Sequence, residues 1–275
     1  MGIAKVQTKN EFKEIMNDFT NPLEIIREGI QNSKDGKSGT IKIEIKNSNT
    51  YMGDCLDVII DDDGIGIPPD KFENFFDLGN STKSNDPESI GEKGHGTKIY
   101  YNSNKLKLES WVNYKKYVSI VECPYRKIFE GKEIEYSEPT LCQNVENRKS
   151  GTRITIYGYL KNTSSLPLDK FSHPEVKDYI LWFTAFGSIE RQFKEYNKEA
   201  NEYPVLLLKS YDSNEKHLQN EFHFSLNQDG YERIDFGHIF PKRDIVKVNE
   251  LKLLAKKNNI RNWEDLFCKK LYDSE

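Results

Sequence analysis

An α+β fold is predicted for this chain of 275 residues. Three observations predict it. A helical segment near the N-terminus carries one narrow apolar stripe. Two strand-like segments follow it directly, one alternating and one more continuously apolar. Further along, strand-like runs follow one another with little helical pattern between them, unlike a regular strand–helix alternation.

The elements read as follows. "KNEFKEIMNDF" at 9–19 is a short helix. Asn21-Pro22 is an N-cap followed by proline at the first helical position, so a second helix starts there and runs to about Lys34. Leu23, Ile26 and Ile30 fall on one stripe of that helix; Glu28, Asn32 and Asp35, at i, i+4 and i+7, fall on the opposite one. "GTIKIEIKN" at 39–47 alternates and is a strand; "CLDVIIDD" at 55–62 is a more buried one. "DKFENFFDLG" is a short helix closing at Gly79, and the Ser, Asn, Lys and Gly-rich stretch from Asn80 to Gly96 is a loop that opens a helix at "TKIYYNSN". Strands are expected at about 105–112, 116–122, 132–138 and 152–158. Composition turns loop-like from Lys161 to Pro174, which puts a domain boundary near 165 and divides the chain into 1–165 and an α/β extension, 166–275. That extension reads as a helix at "HPEVKDYILWFTAFGS", strands at "PVLLLKS", "EFHFSL" and "ERIDFGHIF", and helices at about 247–258 and 262–272.

Composition sets the frame. A net charge of −4 removes any bulk-charge argument for nucleic-acid binding, although a local contact stays open. No apolar run approaches the roughly 18 residues that a membrane span needs, and the N-terminus has no apolar signal segment. Cys55, Cys123, Cys142 and Cys268 are scattered without metal-ligand spacing and read as reduced cytoplasmic thiols.

Chemistry concentrates in loops. In "DDDGIGIPPD", Gly64 and Gly66 follow a buried strand that ends at Asp62. Glycines there let the backbone turn sharply and something pack flat on it; the same pattern also makes an ordinary Asp-Gly turn. In "IGEKGHGTK", Gly91, Gly94 and Gly96 frame a loop before a helix N-terminus, a geometry that favours anions, with Lys93 and Lys98 adding charge. It matches neither the dinucleotide fingerprint nor the P-loop. "SGTRITIYG" puts Gly151-Thr152 at the head of a late strand.

Taken in order, Glu, Asn and Asp on a helix, Asp-x-Gly-x-Gly, a glycine-rich loop ending in a helix and a late Gly-Thr resemble the GHKL ATPase superfamily (gyrase B, heat-shock-90 chaperones, histidine kinases, MutL, MORC proteins) over roughly residues 10–160. "IREGIQNSKDG" resembles the chaperone and MutL version of the helix, and "DLGNSTKS" followed by "IGEKGHGTK" resembles the MORC-like and MutL-like lids, so the motif style is nearest to the MutL-like and MORC-like members. The resemblance implies a Bergerat-type two-layer α/β sandwich, a mixed, largely antiparallel sheet with helices on one face, and a transducer-like role for 166–275. It implies ATP, ADP and Mg²⁺ as ligands. Glu28 is similar to the general base, Asn32 to the Mg²⁺ ligand and Asp35 to its support. Asp62 is similar to the carboxylate that accepts from the adenine amino group, and Thr152 to the threonine that fixes adenine through water. Gly64 and Gly66 shape the adenine loop. Gly91, Gly94, Gly96 and Thr97 would meet phosphates, with Lys83 or Lys98 reaching the γ-phosphate. His95 stands where an apolar residue is usual, as a phosphate contact or a solvated side chain. The resemblance further implies an ATP-hydrolysing, nucleotide-gated switch with an ATP-dependent homodimer and an effector subunit as partners. A nucleotide-binding sensor or scaffold with little turnover, part of a larger repair or defence system, is the second reading. A histidine kinase catalytic domain is the third.

Overall fold

The computed structural model describes residues 21–50, 53–76, 96–143, 147–159, 168–187, 204–234 and 256–257. The helix expected at 9–19, most of the two expected after 247, and Lys83, Gly91, Gly94 and His95 lie outside the described residues.

Helix α1 spans Glu24–Asp35. Asn21 does not cap it directly. Its Oδ1 accepts from the Leu23 amide at 3.0 Å and its carbonyl accepts from the Glu24 amide at 3.0 Å, forming a turn ahead of the first helical residue. Leu23, Ile26 and Ile30 are buried as the periodicity requires, and so are Ile25, Gly29 and Ser33 on the adjoining stripe. The buried face is therefore wider than the aliphatic stripe alone.

Strands β1 (Thr40–Thr50) and β2 (Gly53–Asp62) form an antiparallel pair. After a 3₁₀ turn at Pro69–Lys71 comes the short helix α2 (Phe72–Phe76), and a 3₁₀ helix at Gly96–Tyr101 leads into β3 (Lys105–Val112) and β4 (Lys115–Glu122). Helix α3 (Pro124–Phe129) follows, then β5 (Thr140–Cys142) and β6 (Gly151–Tyr159). A strand was expected at 132–138. Tyr136 makes only an isolated bridge to Val121, and the edge strand is β5. A 3₁₀ turn at Leu168–Phe171 precedes α4 (His173–Phe183). Then β7 (Val205–Lys209), α5 (Lys216–Glu221) and β8 (Glu232–Ile234) complete the sheet. The strand expected at "EFHFSL" is instead the end of α5 and a turn, with Phe222 exposed and Phe224 buried.

The eight strands form one mixed sheet in the order β5-β4-β3-β6-β2-β1-β7-β8, parallel only between β1 and β7. The α+β class is therefore observed, consistent with the Bergerat arrangement. The sheet also runs past the composition shift at 161–174, since β7 and β8 extend it beyond β1. By contacts the chain divides into two compact units, Met1–Tyr179 with Pro204–Ile234, and Ile180–Tyr203 with Asp235–Glu275.

Register gives each face of the sheet its character. Ile41, Ile43, Ile60, Ile154 and Leu108 share one face by direct pairing and are buried. Asp61, Arg153 and Glu109 share the other face by the same rule. Helix α1 packs on the aliphatic face so closely that a Cβ on Gly29 would collide with the Ile60 side chain. Gly29→Ala gains helix propensity of about 1 kcal/mol and overpacks the core at a cost of about 1–3 kcal/mol. A net loss of melting temperature is expected in calorimetry, and an unchanged or raised value would mean that Ile60 repacks freely.

Candidate functional site

The end of β2 carries three consecutive aspartates, and the fold sends each to a different place. Asp61 points to the charged face, where Arg148 Nη1 meets its Oδ1 at 2.6 Å and Arg153 Nη2 meets its Oδ2 at 2.8 Å. Asp63 Oδ1 accepts from the amides of Gly39 and Thr40, both at 2.7 Å, closing the turn into β1. Asp62 points toward the helix. Its Oδ2 accepts from Ser33 Oγ at 3.1 Å and its Oδ1 from the Gly64 amide at 2.9 Å. It is buried, at 6% exposure. Burial pushes its carboxyl up to about 6, against the pull of the Gly64 and Ser33 hydrogen bonds and the Arg148 charge; the Asp61 charge adds to the rise. Thr152 on β6 is the direct cross-strand partner of Asp62 and is also buried.

The glycine loop is stitched into this corner. The Ile65 amide donates to the Gly36 carbonyl at 2.9 Å, at the C-terminal end of α1. The Ile67 amide donates to Ser110 Oγ at 2.6 Å. A Cβ on Gly64 would meet the Gly36 carbonyl and the Asp62 carboxylate, so this position has no room for a side chain. Gly66 has φ +74° and passes against the Trp111 carbonyl. Between them Ile65 is 63% exposed, an apolar group offered to solvent at the rim.

Beside Ser33 on α1 runs the polar stripe. Glu28, Asn32 and Asp35 are each half-buried rather than solvated. Arg27 bridges Glu28 Oε1 at 2.5 Å and Glu24 Oε2 at 2.5 Å. Gly96 sits directly on Glu28, and a Cβ there would collide with the carboxylate. Asn32 Nδ2 donates to the hydroxyl of Tyr100 at 3.4 Å. Tyr100 is fully buried; burial raises its pKa, and the nearby Glu28 and Asp62 charges raise it further, so it stays a neutral phenol.

The fold thus draws together Glu28, Asn32, Asp62, Gly64, Gly96 and Thr152. Thr97 and Lys98 turn elsewhere. Thr97 Oγ1 donates to the Phe75 carbonyl at 3.1 Å, and Lys98 Nζ donates to the same carbonyl and to Thr97 Oγ1, each at 2.9 Å. Lys98 is fully buried, so the reach expected of it toward a phosphate requires breaking both bonds. Ser33, Tyr100 and Arg148 were not anticipated. Gly29 and Ser33, two small residues four apart, were the available sign that this stripe of the helix lies against the sheet.

Residues 20–152 match the family model described as histidine kinase-, DNA gyrase B-, and HSP90-like ATPase. The match supports the GHKL superfamily. It runs from just ahead of α1 to Thr152, enclosing every candidate residue, and supports ATP binding for the domain in general. No curated protein matches the chain. Among the described residues no helix is long and apolar enough to cross a membrane.

Proposed function

We propose that this GHKL-type domain binds Mg-ATP in the corner between α1, β2 and β6, hydrolyses it, and acts as a nucleotide-gated dimerisation switch. The observation that carries the reading is the Asp62 corner: a buried carboxylate with Ser33, Gly64 and Thr152 around it, at the foot of a helix that presents Glu28 and Asn32. The corner fits a nucleotide base. It holds a charged acceptor and two hydroxyls in a site walled by glycines, and a charged acceptor makes the stronger hydrogen bonds.

In this reading Asp62 accepts from the adenine amino group and Thr152 helps through water. Asn32 holds Mg²⁺, a hard ion that needs few protein ligands where phosphate oxygens supply the others. Asp35 supports Asn32, and Gly96, with Gly91 and Gly94, presents amides to phosphate. Glu28 holds a water in line and takes its proton on the carboxylate. Magnesium, when bound, neutralises charge on the phosphates.

A switch requires that ATP bind one state more tightly than the other. A non-hydrolysable ATP analogue is therefore expected to shift the protein from monomer toward dimer in light scattering, while ADP leaves it monomeric. Equal mass with both nucleotides, each shown to be bound, would remove the switch and favour the static binding module.

A further inference from the structure

We propose that Arg148 is a positioning residue for the nucleotide site: from the face of the sheet opposite α1, it clamps the ends of β2 and β6 so that Asp62 and Thr152 stay aligned. The inference rests on the reading of Asp62 and Thr152 as the adenine-binding pair.

One guanidinium serves three acceptors here. Nη1 takes the Asp61 carboxylate at 2.6 Å, Nη2 takes the Asp62 main-chain carbonyl, and Nε takes the Ser150 carbonyl at 3.1 Å. The first two belong to the end of β2 and the third to the loop that enters β6. The side chain therefore ties together, across the strand ends, the segment before Thr152 and the residue bearing the candidate adenine carboxylate. The planar fork of arginine suits this span, and lysine's single ammonium does not. Beneath it lies the Trp111 ring, 4.3 Å from Cζ, in a buried position where a cation over an aromatic face is favourable.

Gly151 belongs to the same device. Its φ is +134°, and a Cβ there would collide with both the Arg148 guanidinium and the Asp62 carbonyl. The glycine of the Gly-Thr pair thus makes room for the clamp that aligns the threonine after it.

Charge gives the clamp a second consequence. The groups facing Asp62 are Asp61 on its own strand, Arg148 from the loop before β6, Ser33 from α1, Thr152 from β6 and the neutral Tyr100 from the 96–101 turn. Only Arg148 among them is cationic, and it favours the ionised carboxylate. Arg153 continues to neutralise Asp61 when Arg148 is removed. The loss therefore acts on Asp62 in one direction, raising the pH at which it ionises.

Calorimetric titration with ADP between pH 5.5 and 8.5 tests this. Wild-type affinity is expected to be half-maximal at about pH 6, where half of Asp62 is ionised, and to approach its full value about one pH unit higher. In Arg148→Ala the half-point moves up by about one pH unit, so that affinity at pH 6 falls about fivefold, and Asp61→Asn in the same protein moves it back down. Arg148→Lys keeps the charge and loses the fork; it keeps the wild-type half-point but binds roughly two- to tenfold more weakly throughout. In turnover with ATP, both single variants raise KM and leave kcat unchanged. A wild type that binds no ADP overturns the nucleotide reading itself. A wild type that binds, with Arg148→Lys or Arg148→Ala giving a curve superimposed on its own, overturns only the role of Arg148. Arg148→Lys carries the test alone if Arg148→Ala does not fold.

Discussion

Replacing Glu28 with alanine is expected to cut ATP turnover about 100-fold or more while leaving ATP affinity near wild type. The two effects separate because the residues divide by position. Asp62, Ser33 and Thr152 sit together at the strand ends, whereas Glu28 lies a helical turn away, under Gly96. Removing its carboxylate takes away the proton acceptor without touching the corner that would hold the base. Glu28→Gln keeps the shape and loses the basicity, so it should fail like alanine; a glutamine variant that turns over normally would mean that the side chain only fills space. Gly96→Ala gives an independent check. Its methyl group must displace the Glu28 carboxylate, so it should also slow turnover, yet add little in a Glu28→Ala background, where the clash is gone. Wild-type hydrolysis by Glu28→Ala would place the base elsewhere.

The parts of this site that were legible in the sequence are those set by local periodicity. The period of α1 separates Leu23, Ile26 and Ile30 from Glu28, Asn32 and Asp35, and the paired glycines mark Asp62 as the end of a buried strand. What was not legible depends on pairing across the chain. Thr152 stands opposite Asp62 from ninety residues downstream, and it enters the sequence reading only through the family resemblance, since a lone Gly-Thr before a strand has no signature of its own. Arg148 reaches Asp61 by the same pairing, and nothing in "ENRKSGT" distinguishes it from a surface arginine. Parallel pairing of β7 with β1 joins segments separated by most of the chain, so the extent of the sheet beyond residue 165 has no local signature. The edge was misread for a local reason. Cys123 adopts a left-handed φ of 52°, turning the chain into α3, and the polar run after that helix meets β4 only briefly, through the Tyr136 bridge and the hydrogen bonds of Ser137 to Ser119 and Ile120, before β5 forms.

Asp62→Asn is expected to weaken nucleotide binding and strengthen the empty fold at the same time. The amide keeps the shape: its oxygen accepts from the Gly64 amide, and its NH₂ faces Ser33, whose hydroxyl rotates to accept. What disappears is the charge offered to adenine, worth roughly 1.5–3 kcal/mol, or about ten- to a hundredfold in affinity. Stability moves the other way. Asp62 ionises near 3.8 when solvated and at about 6 when folded, so the native state holds its proton more tightly than the unfolded chain does. Stability from this group is full at low pH, falls as pH rises from about 4 to about 6, and stays lower above that window. At 1.36 kcal/mol for each pH unit, the burden at neutral pH is at most about 3 kcal/mol. Denaturant titrations should therefore find Asp62→Asn more stable than wild type at pH 7 and equal to it at pH 4, while calorimetry finds its ADP affinity reduced. A variant that loses stability at pH 7 would mean that the carboxylate is held by compensating charge and is not strained by burial. A variant that binds ADP as tightly as wild type would remove Asp62 from the adenine site whatever its effect on the fold.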